Sequence, residues 1–203
     1  MLVARILYPV IALGPGKRIG IWVCGCHRRC EHCANPELQA FDPARTISVE
    51  MLTAVLLDFI KKYPVDGITI TGGEPFEQAE ELASLLRGIV DDVPDILVFS
   101  GYTHAQLKAR KDSATDGLLK IINVLIDGEY IDSQNNGSVL RGSDNQQIHF
   151  LQEIHRDQYA AYLTEGRKFQ NFEAEEGIIA VGLHYRGFLD EIQQKLNQKL
   201  SEG

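Results

Sequence analysis

The chain has 203 residues, 44% of them apolar and 24% charged, a composition that fits one soluble globular domain with a full core. Its formal charge of −8, from 20 basic and 28 acidic residues with no long Lys/Arg block, argues against nucleic acid, whose binding rests on phosphate neutralisation. No apolar run nears the roughly 20 residues that span a bilayer, and the N-terminal stretch lacks a charged n-region and a small-residue cleavage site, so a cytoplasmic protein with reduced thiols and no membrane partner is expected.

Residues 2–13 and 17–24 read as strands from their branched and apolar content, with Pro9, Gly14, Pro15 and Gly16 marking turns. Directly after the apolar run 19–23 come Cys26, Cys30 and Cys33, a C-x3-C-x2-C spacing that bends a short loop round one centre. Iron–sulfur clusters are held by Cys thiolates, normally four. A cube of four irons held by three leaves one iron open to a substrate. A closed zinc site is the competing reading, with Cys24, His27 or His32 as fourth ligand. Cys24 and Cys26 share a face if the strand runs through them. Disulfides and unconnected buried thiols complete the possibilities, and a reducing compartment argues against the disulfides. Arg28 and Arg29 are either a solvated loop face or a positive rim that favours an anionic group or an acidic electron donor.

Ser48 is placed to N-cap a helix over 49–63, whose stripe is Val49, Leu52, Leu56, Phe59, Ile60 and Tyr63; Pro64 stops it. A short strand over 67–71 leads into Gly72, Gly73, Glu74 and Pro75. A second helix over 76–92 follows, with Ala79, Leu82, Ala83, Leu86, Ile89 and Val90 on one face. The strand 95–99 ends in Ser100, Gly101, Tyr102 and Thr103. After a helical stretch marked by Leu107, the strand 121–126 ends in Asp127 and Gly128. Strands alternating with helices argue for parallel β/α units. Their continuous apolar cores suit a sheet covered on both faces. With right-handed crossovers the fold class is α/β, a partial (β/α) barrel with a mostly parallel sheet, since the chain is too short for eight units.

The cysteine loop, Gly72 to Glu74, Ser100 to Tyr102 and Asp127 each follow a strand. The carboxyl ends of parallel strands form the ligand-binding rim, so these motifs converge on one mouth. Gly72 and Gly73 let a ligand approach the backbone, although turns use glycine routinely. Glu74 accepts from a ligand amine or from backbone. Asp127 bonds ribose hydroxyls, binds a cation, or closes a turn with Gly128. Ser100, Tyr102 and Thr103 add hydroxyls, and Tyr102 serves equally well as core. Arg141 opens a polar segment, 141–147, that is either an ordinary turn into a strand or a place where the arginine clamps a carboxylate bidentately.

The cysteine motif followed by Asn35, with Gly72, Gly73, Glu74 and Pro75 downstream, resembles the signature of radical S-adenosylmethionine enzymes. Residues 99–102, 122–128 and 140–143, with Asn145 and Gln146, resemble those of the anaerobic ribonucleoside-triphosphate reductase activating proteins. The similarity covers about residues 5–151, three quarters of the chain. The resemblance implies a 4Fe–4S cluster on Cys26, Cys30 and Cys33, with S-adenosylmethionine chelating the fourth iron. It implies that Gly72, Gly73 and Glu74 bind the amino group, that His32 packs on adenine, and that Asp127 serves the ribose and a monovalent cation. It implies radical chemistry carried by cofactors rather than by catalytic side chains: reductive cleavage gives a 5′-deoxyadenosyl radical, which takes a hydrogen from a glycine Cα. The implied partners are a glycyl-radical protein, the anaerobic ribonucleotide reductase, and a flavodoxin- or ferredoxin-type electron donor. Glu129 departs from the pattern, standing where some relatives carry a lysine near the S-adenosylmethionine carboxylate. Cys24 reads as a small buried residue.

The remainder, 152–203, reads as an appendage of the same single domain. Residues 168–172 and 177–183 suggest a hairpin joined at 173–176. A terminal helix over 186–200 carries Phe188, Leu189, Ile192, Leu196 and Leu200. Shielding a sheet edge is its simplest role, and contact with the partner is the other.

Overall fold

The branched apolar runs of the sequence pair with one another in a computed structural model that describes residues 1–152, 155–175 and 177–201. Six of them make one sheet: β1 (Val3–Val10), β2 (Arg18–Val23), β3 (Gly67–Gly72), β4 (Ile96–Phe99), β5 (Val124–Asp127) and β6 (Gln147–Phe150). Their spatial order is their chain order. β2 through β5 run parallel, while β1 and β6 are antiparallel edges. Val23 pairs with Gly72 and Phe99 with Ile126, so the carboxyl ends of the parallel strands finish side by side.

Four helices connect these strands: α1 (Val49–Lys62), α2 (Ala79–Arg87), α3 (His104–Ala109) and α4 (Ser113–Ile121). Side chains alternate across each strand. Ile19, Ile21, Val23, Ile68, Ile70, Ile96, Val98 and Leu125 therefore meet Leu52, Leu56, Leu82, Leu86, Leu107 and Leu118 of the helices in one core. The opposite face carries Trp22, Leu97, Val124 and Ile126, covered by α5 (Arg156–Leu163) and by a separate antiparallel hairpin of β7 (Phe169–Ala174) and β8 (Gly177–Gly182). On that face Arg18, fully buried, donates to Asp95 Oδ2 (2.7 Å), Thr69 Oγ1 (2.6 Å) and Ile68 O (2.7 Å), and Tyr159 donates to the same Asp95 oxygen (2.7 Å).

Several expected boundaries move, each for a local reason. The Ser48 Oγ accepts from Met51 N (3.1 Å) and starts α1 as expected, but Tyr63 lies beyond its end, extended and 40% exposed, its ring tilted against that of Phe59. The following proline disfavours helical backbone there. The helix expected over 76–92 is three pieces: a 3-10 turn (Pro75–Gln78), α2, and a second turn (Val90–Asp92). Gly88 closes α2 where it abuts α1, since a Cβ there would lie 2.8 Å from Thr53 Cγ2. Ile121 ends α4 rather than starting a strand, because Asp112 Oδ1 accepts from Thr115 N (2.7 Å) and caps a helix of its own. The hairpin is present with a tighter joint, Glu173 and Ala174 belonging to β7; Glu176 lies outside the described residues. The terminal helix is α6 (Phe188–Ser201), with Ile192 40% exposed; the side chains of Leu189, Leu196 and Leu200 lie outside the described residues.

Candidate functional site

β2 stops at Val23, and the next two residues separate two environments. Cys24 turns into the core with Val10, Trp22 and Leu38, 1% exposed. Gly25 adopts φ +97°, against Phe41, and redirects the chain. Cys24 and Cys26 thus do not share a face, because the strand does not extend through them. Cys26 N donates to Gln39 O (3.0 Å), anchoring the loop that follows. Arg29 and His32 both sit at φ 54° and tighten that loop. Cys26, Cys30 and Cys33 are free, half-buried, and line a cavity of about 310 Å3. Burial pushes the Cys26 and Cys30 thiols up, against amide hydrogen bonds that pull them down. Ligation requires thiolates, so loading the site releases protons.

Among the described residues no three His, Cys, Asp or Glu side chains lie close enough to hold one metal ion. The thiols border a space instead of meeting at a point. A structural zinc demands four ligands within about 2.3 Å of one centre, and the fourth cysteine faces the opposite core. Three thiols on the wall of a larger cavity fit an iron–sulfur cluster with one position left open.

The second wall comes from the end of β3. Gly73 N donates to Val23 O (2.8 Å) and Glu74 N to Gly25 O (2.9 Å), which ties this turn to the root of the cysteine loop. A Cβ on Gly73 would lie 2.5 Å from Gly25 O, and one on Gly72, at φ +107°, would lie 2.4 Å from Val23 O. The glycines therefore admit the protein's own backbone. Glu74 is buried and accepts from Phe76 N (3.0 Å), Ser100 Oγ (2.9 Å) and Gly101 N (2.7 Å). Burial raises its carboxyl from 4.5 to about 7, despite those three donors.

Of the remaining expected residues, His32, Asn35 and Ser100 line the same cavity as the thiols, with Gly72, Gly73 and Glu74. Tyr102 is not in the lining: its hydroxyl donates to Glu77 Oε1 (2.8 Å), and its ring lies between the guanidinium groups of Arg28 (5.0 Å) and Arg110 (4.1 Å). Asp127 stands at its strand end but turns inward, accepting from His104 N and Gln147 N and pairing with His149 Nε2 (2.9 Å). Holding the start of α3 and the first residue of β6 uses its carboxylate, so it does not line the cavity. Arg141 is also outside it, donating to Asp144 O and Gln146 O (3.2 Å each). Arg28 does line the cavity, while Arg29 is exposed.

The lining also contains residues that sequence reasoning passed over. Trp22 and Phe99 form its apolar side, and the end of β8 from Ala180, with Leu183 to Tyr185, Gly187 and Phe188, forms a wall facing the sheet. Within that wall the rings of His184 and Phe188 stack at 4.4 Å, and Phe169, outside the lining, stacks on His184 at 5.7 Å. Gln170 binds Pro9 O (2.6 Å) and Ile11 N (3.0 Å), so the hairpin also covers the end of edge strand β1. Residues 168–172 and 177–183 were readable as a hairpin, but Ile11 and Pro9, which Gln170 meets, lie 159 and 161 positions away and left no local signal.

A family model described as a 4Fe-4S single cluster domain matches residues 12–149, so the hairpin and α6 lie beyond it. The chain is 31% identical over 151 residues to the anaerobic ribonucleoside-triphosphate reductase-activating protein of Salmonella typhimurium, an alignment covering 71% of this chain and 96% of that protein. It is 33% identical over 152 residues to the protein of the same name from Vibrio cholerae, covering 70% and 94%. The Escherichia coli K12 protein of that name is 31% identical over 154 residues, covering 71% and 96%. With the iron–sulfur model spanning most of the sheet and relatives matched over nearly their whole length, the chain belongs to the radical S-adenosylmethionine family of anaerobic ribonucleoside-triphosphate reductase-activating proteins.

Proposed function

We propose that this chain is a radical S-adenosylmethionine activase that generates a glycyl radical on anaerobic ribonucleoside-triphosphate reductase. The observation that carries the reading is the meeting of Cys26, Cys30, Cys33, Gly72, Gly73 and Glu74 in one cavity where parallel strands end. The sequential strand order supports reading the sheet as part of a (β/α) barrel, and residues 1–203 as one domain with a core of about 5–151.

A bound 4Fe–4S cluster would supply the single electron for reductive cleavage of the S-adenosylmethionine sulfonium, the chemistry needed to take hydrogen from a glycine Cα. Cys26, Cys30 and Cys33 hold the cluster as thiolates. Glu74 retains acceptor capacity for an ammonium beyond its three internal donors. Gly72 and Gly73 keep the Glu74 turn pressed against the cysteine loop. His32 and Asn35, which line the same cavity, would hold the adenine of the nucleoside, and Ser100 fixes Glu74. Tyr102 braces Arg28, while Asp127 acts through the loops it pins. Trp22, Phe99 and the hairpin wall exclude water from the radical. A flavodoxin- or ferredoxin-type protein supplies the electron, in the cytoplasm.

The test is anaerobic reconstitution with iron and sulfide, reduction, and assay of 5′-deoxyadenosine, followed by mixing with the host reductase. A glycyl doublet in electron paramagnetic resonance is expected on the reductase. Absence of 5′-deoxyadenosine from the reduced, iron-loaded protein would rule the reading out. The Cys30→Ala variant should lose the cluster absorbance and Cys24→Ala should keep it; equal iron loss in both would point to a four-thiolate centre.

A further inference from the structure

Arg28 is the only Lys or Arg lining the cavity among the described residues. Its guanidinium is largely enclosed, with 19% of the side chain exposed. One amino group, Nη2, donates to Glu129 Oε2 (2.8 Å), and the ring of Tyr102 lies against it. Its Nε is buried and has no hydrogen-bond partner among the described residues. A buried unpaired donor of a charged group is costly, so a site that retains one is incomplete without an acceptor.

What borders Arg28 indicates that acceptor. Gly101 lies between it and Glu74: a Cβ on this residue would stand 3.4 Å from Arg28 Nε and 3.4 Å from Glu74 Oε2. Gly101 N is the one donor to that Glu74 oxygen among the described residues (2.7 Å). A guanidinium with a free donor and a carboxylate with a free acceptor position thus flank one glycine at the edge of one cavity. An α-amino acid presents the matching pair, an ammonium and a carboxylate on a single carbon. A phosphate or simple carboxylate would satisfy Arg28 but would be repelled by Glu74.

We propose that Arg28 and Glu74 together clamp the amino-acid end of the sulfonium nucleoside, Arg28 taking the carboxylate and Glu74 the ammonium. This rests on the S-adenosylmethionine reading and adds to it a residue from within the cysteine loop. It also assigns the anchoring of the carboxylate, expected from Arg141 on sequence, to a different arginine. Glu129 then holds the guanidinium in place from its other side.

The experiment compares binding of S-adenosylhomocysteine with that of 5′-methylthioadenosine, which lacks the amino-acid end, by titration calorimetry on the anaerobically reconstituted protein. Neither ligand turns over, so affinity is read without activity. In the unaltered protein S-adenosylhomocysteine should bind the more tightly. Arg28→Gln should weaken S-adenosylhomocysteine roughly ten- to hundredfold, as expected for a charge-assisted hydrogen bond, and leave 5′-methylthioadenosine within about twofold. Glu129→Gln breaks the same ion pair but keeps the guanidinium, so it should preserve the preference for S-adenosylhomocysteine. An unchanged preference in Arg28→Gln, or an equal loss in Glu129→Gln, overturns the proposal and leaves the function standing. Failure of the unaltered, iron-loaded protein to bind either nucleoside overturns both.

Discussion

Glu74 is buried among three donors, and its carboxyl titrates near 7 instead of 4.5 because desolvation outweighs the hydrogen bonds it accepts. The sign of the consequence follows from proton counting. Between pH 4.5 and about 7 the native state holds a proton on Glu74 that the unfolded chain has lost. Stability from this group is therefore complete below 4.5, declines as pH rises through that window, and is constant above about 7. A difference of this size is worth about 3 kcal/mol. Urea unfolding of metal-free protein from pH 4.5 to 8, with Glu74→Gln beside it, isolates the contribution. The variant should gain on the parent as pH rises, and a pH-independent gap between the two would show that Glu74 ionises normally. A ligand ammonium reverses the balance by favouring the carboxylate, so nucleoside binding below pH 7 should release a proton at Glu74. Its place in the cavity was legible from its position after a strand. Its titration was not, because the desolvation that raises it comes from the packing of distant segments, such as the one carrying Ser100 and Gly101, onto the β3 turn.

At the level of elements, the cysteine loop and the β3 turn are one unit, built on backbone contacts that exclude a side chain at Gly73. Gly73→Ala forces the Gly25 carbonyl to move, and displacement of packed backbone costs about 1–3 kcal/mol. Iron content after reconstitution should fall in step with the melting temperature. A stable Gly73→Ala protein with full iron loading would mean that the two turns do not depend on each other. The pairing of distant glycines with a cysteine loop was readable as convergence on one rim, since every motif followed an apolar run. The reason for the glycines was not readable, because Val23 and Gly25 approach them through parallel strand register. Helix ends were legible where a side chain caps locally, as Ser48 does. They were misplaced where the cap lay in an unremarkable polar stretch, as with Asp112 before α4, or where a neighbouring helix imposed the stop, as at Gly88.

Across the whole molecule, Arg167 fastens the appendage beyond the family match to the loop that precedes the last strand of the sheet. Arg167 Nε donates to Ser138 O (3.0 Å), Nη1 to His184 O (2.7 Å) and Nη2 to Arg141 O (2.8 Å), joining the loop before β6 to the cavity wall after β8. Asn135 Nδ2 reaches the same His184 carbonyl (2.9 Å), and Val181 buries itself against the Trp22 side of the sheet. The half-buried guanidinium thus satisfies carbonyls from two segments that nothing in their sequence pairs. Replacing it with methionine keeps the aliphatic stem and removes the donors, leaving the Ser138 and Arg141 carbonyls without them while His184 O keeps only Asn135. Local opening should then become easier by about 1–3 kcal/mol, which is ten- to hundredfold faster amide exchange over residues 138–142 and 180–185. Strands β3 to β5 should exchange as before, since their hydrogen bonds lie within the sheet. If Arg167→Met instead accelerates exchange uniformly, the appendage is part of one cooperative unit with the sheet. If it accelerates none, the wall is held by Val181 and its apolar neighbours alone.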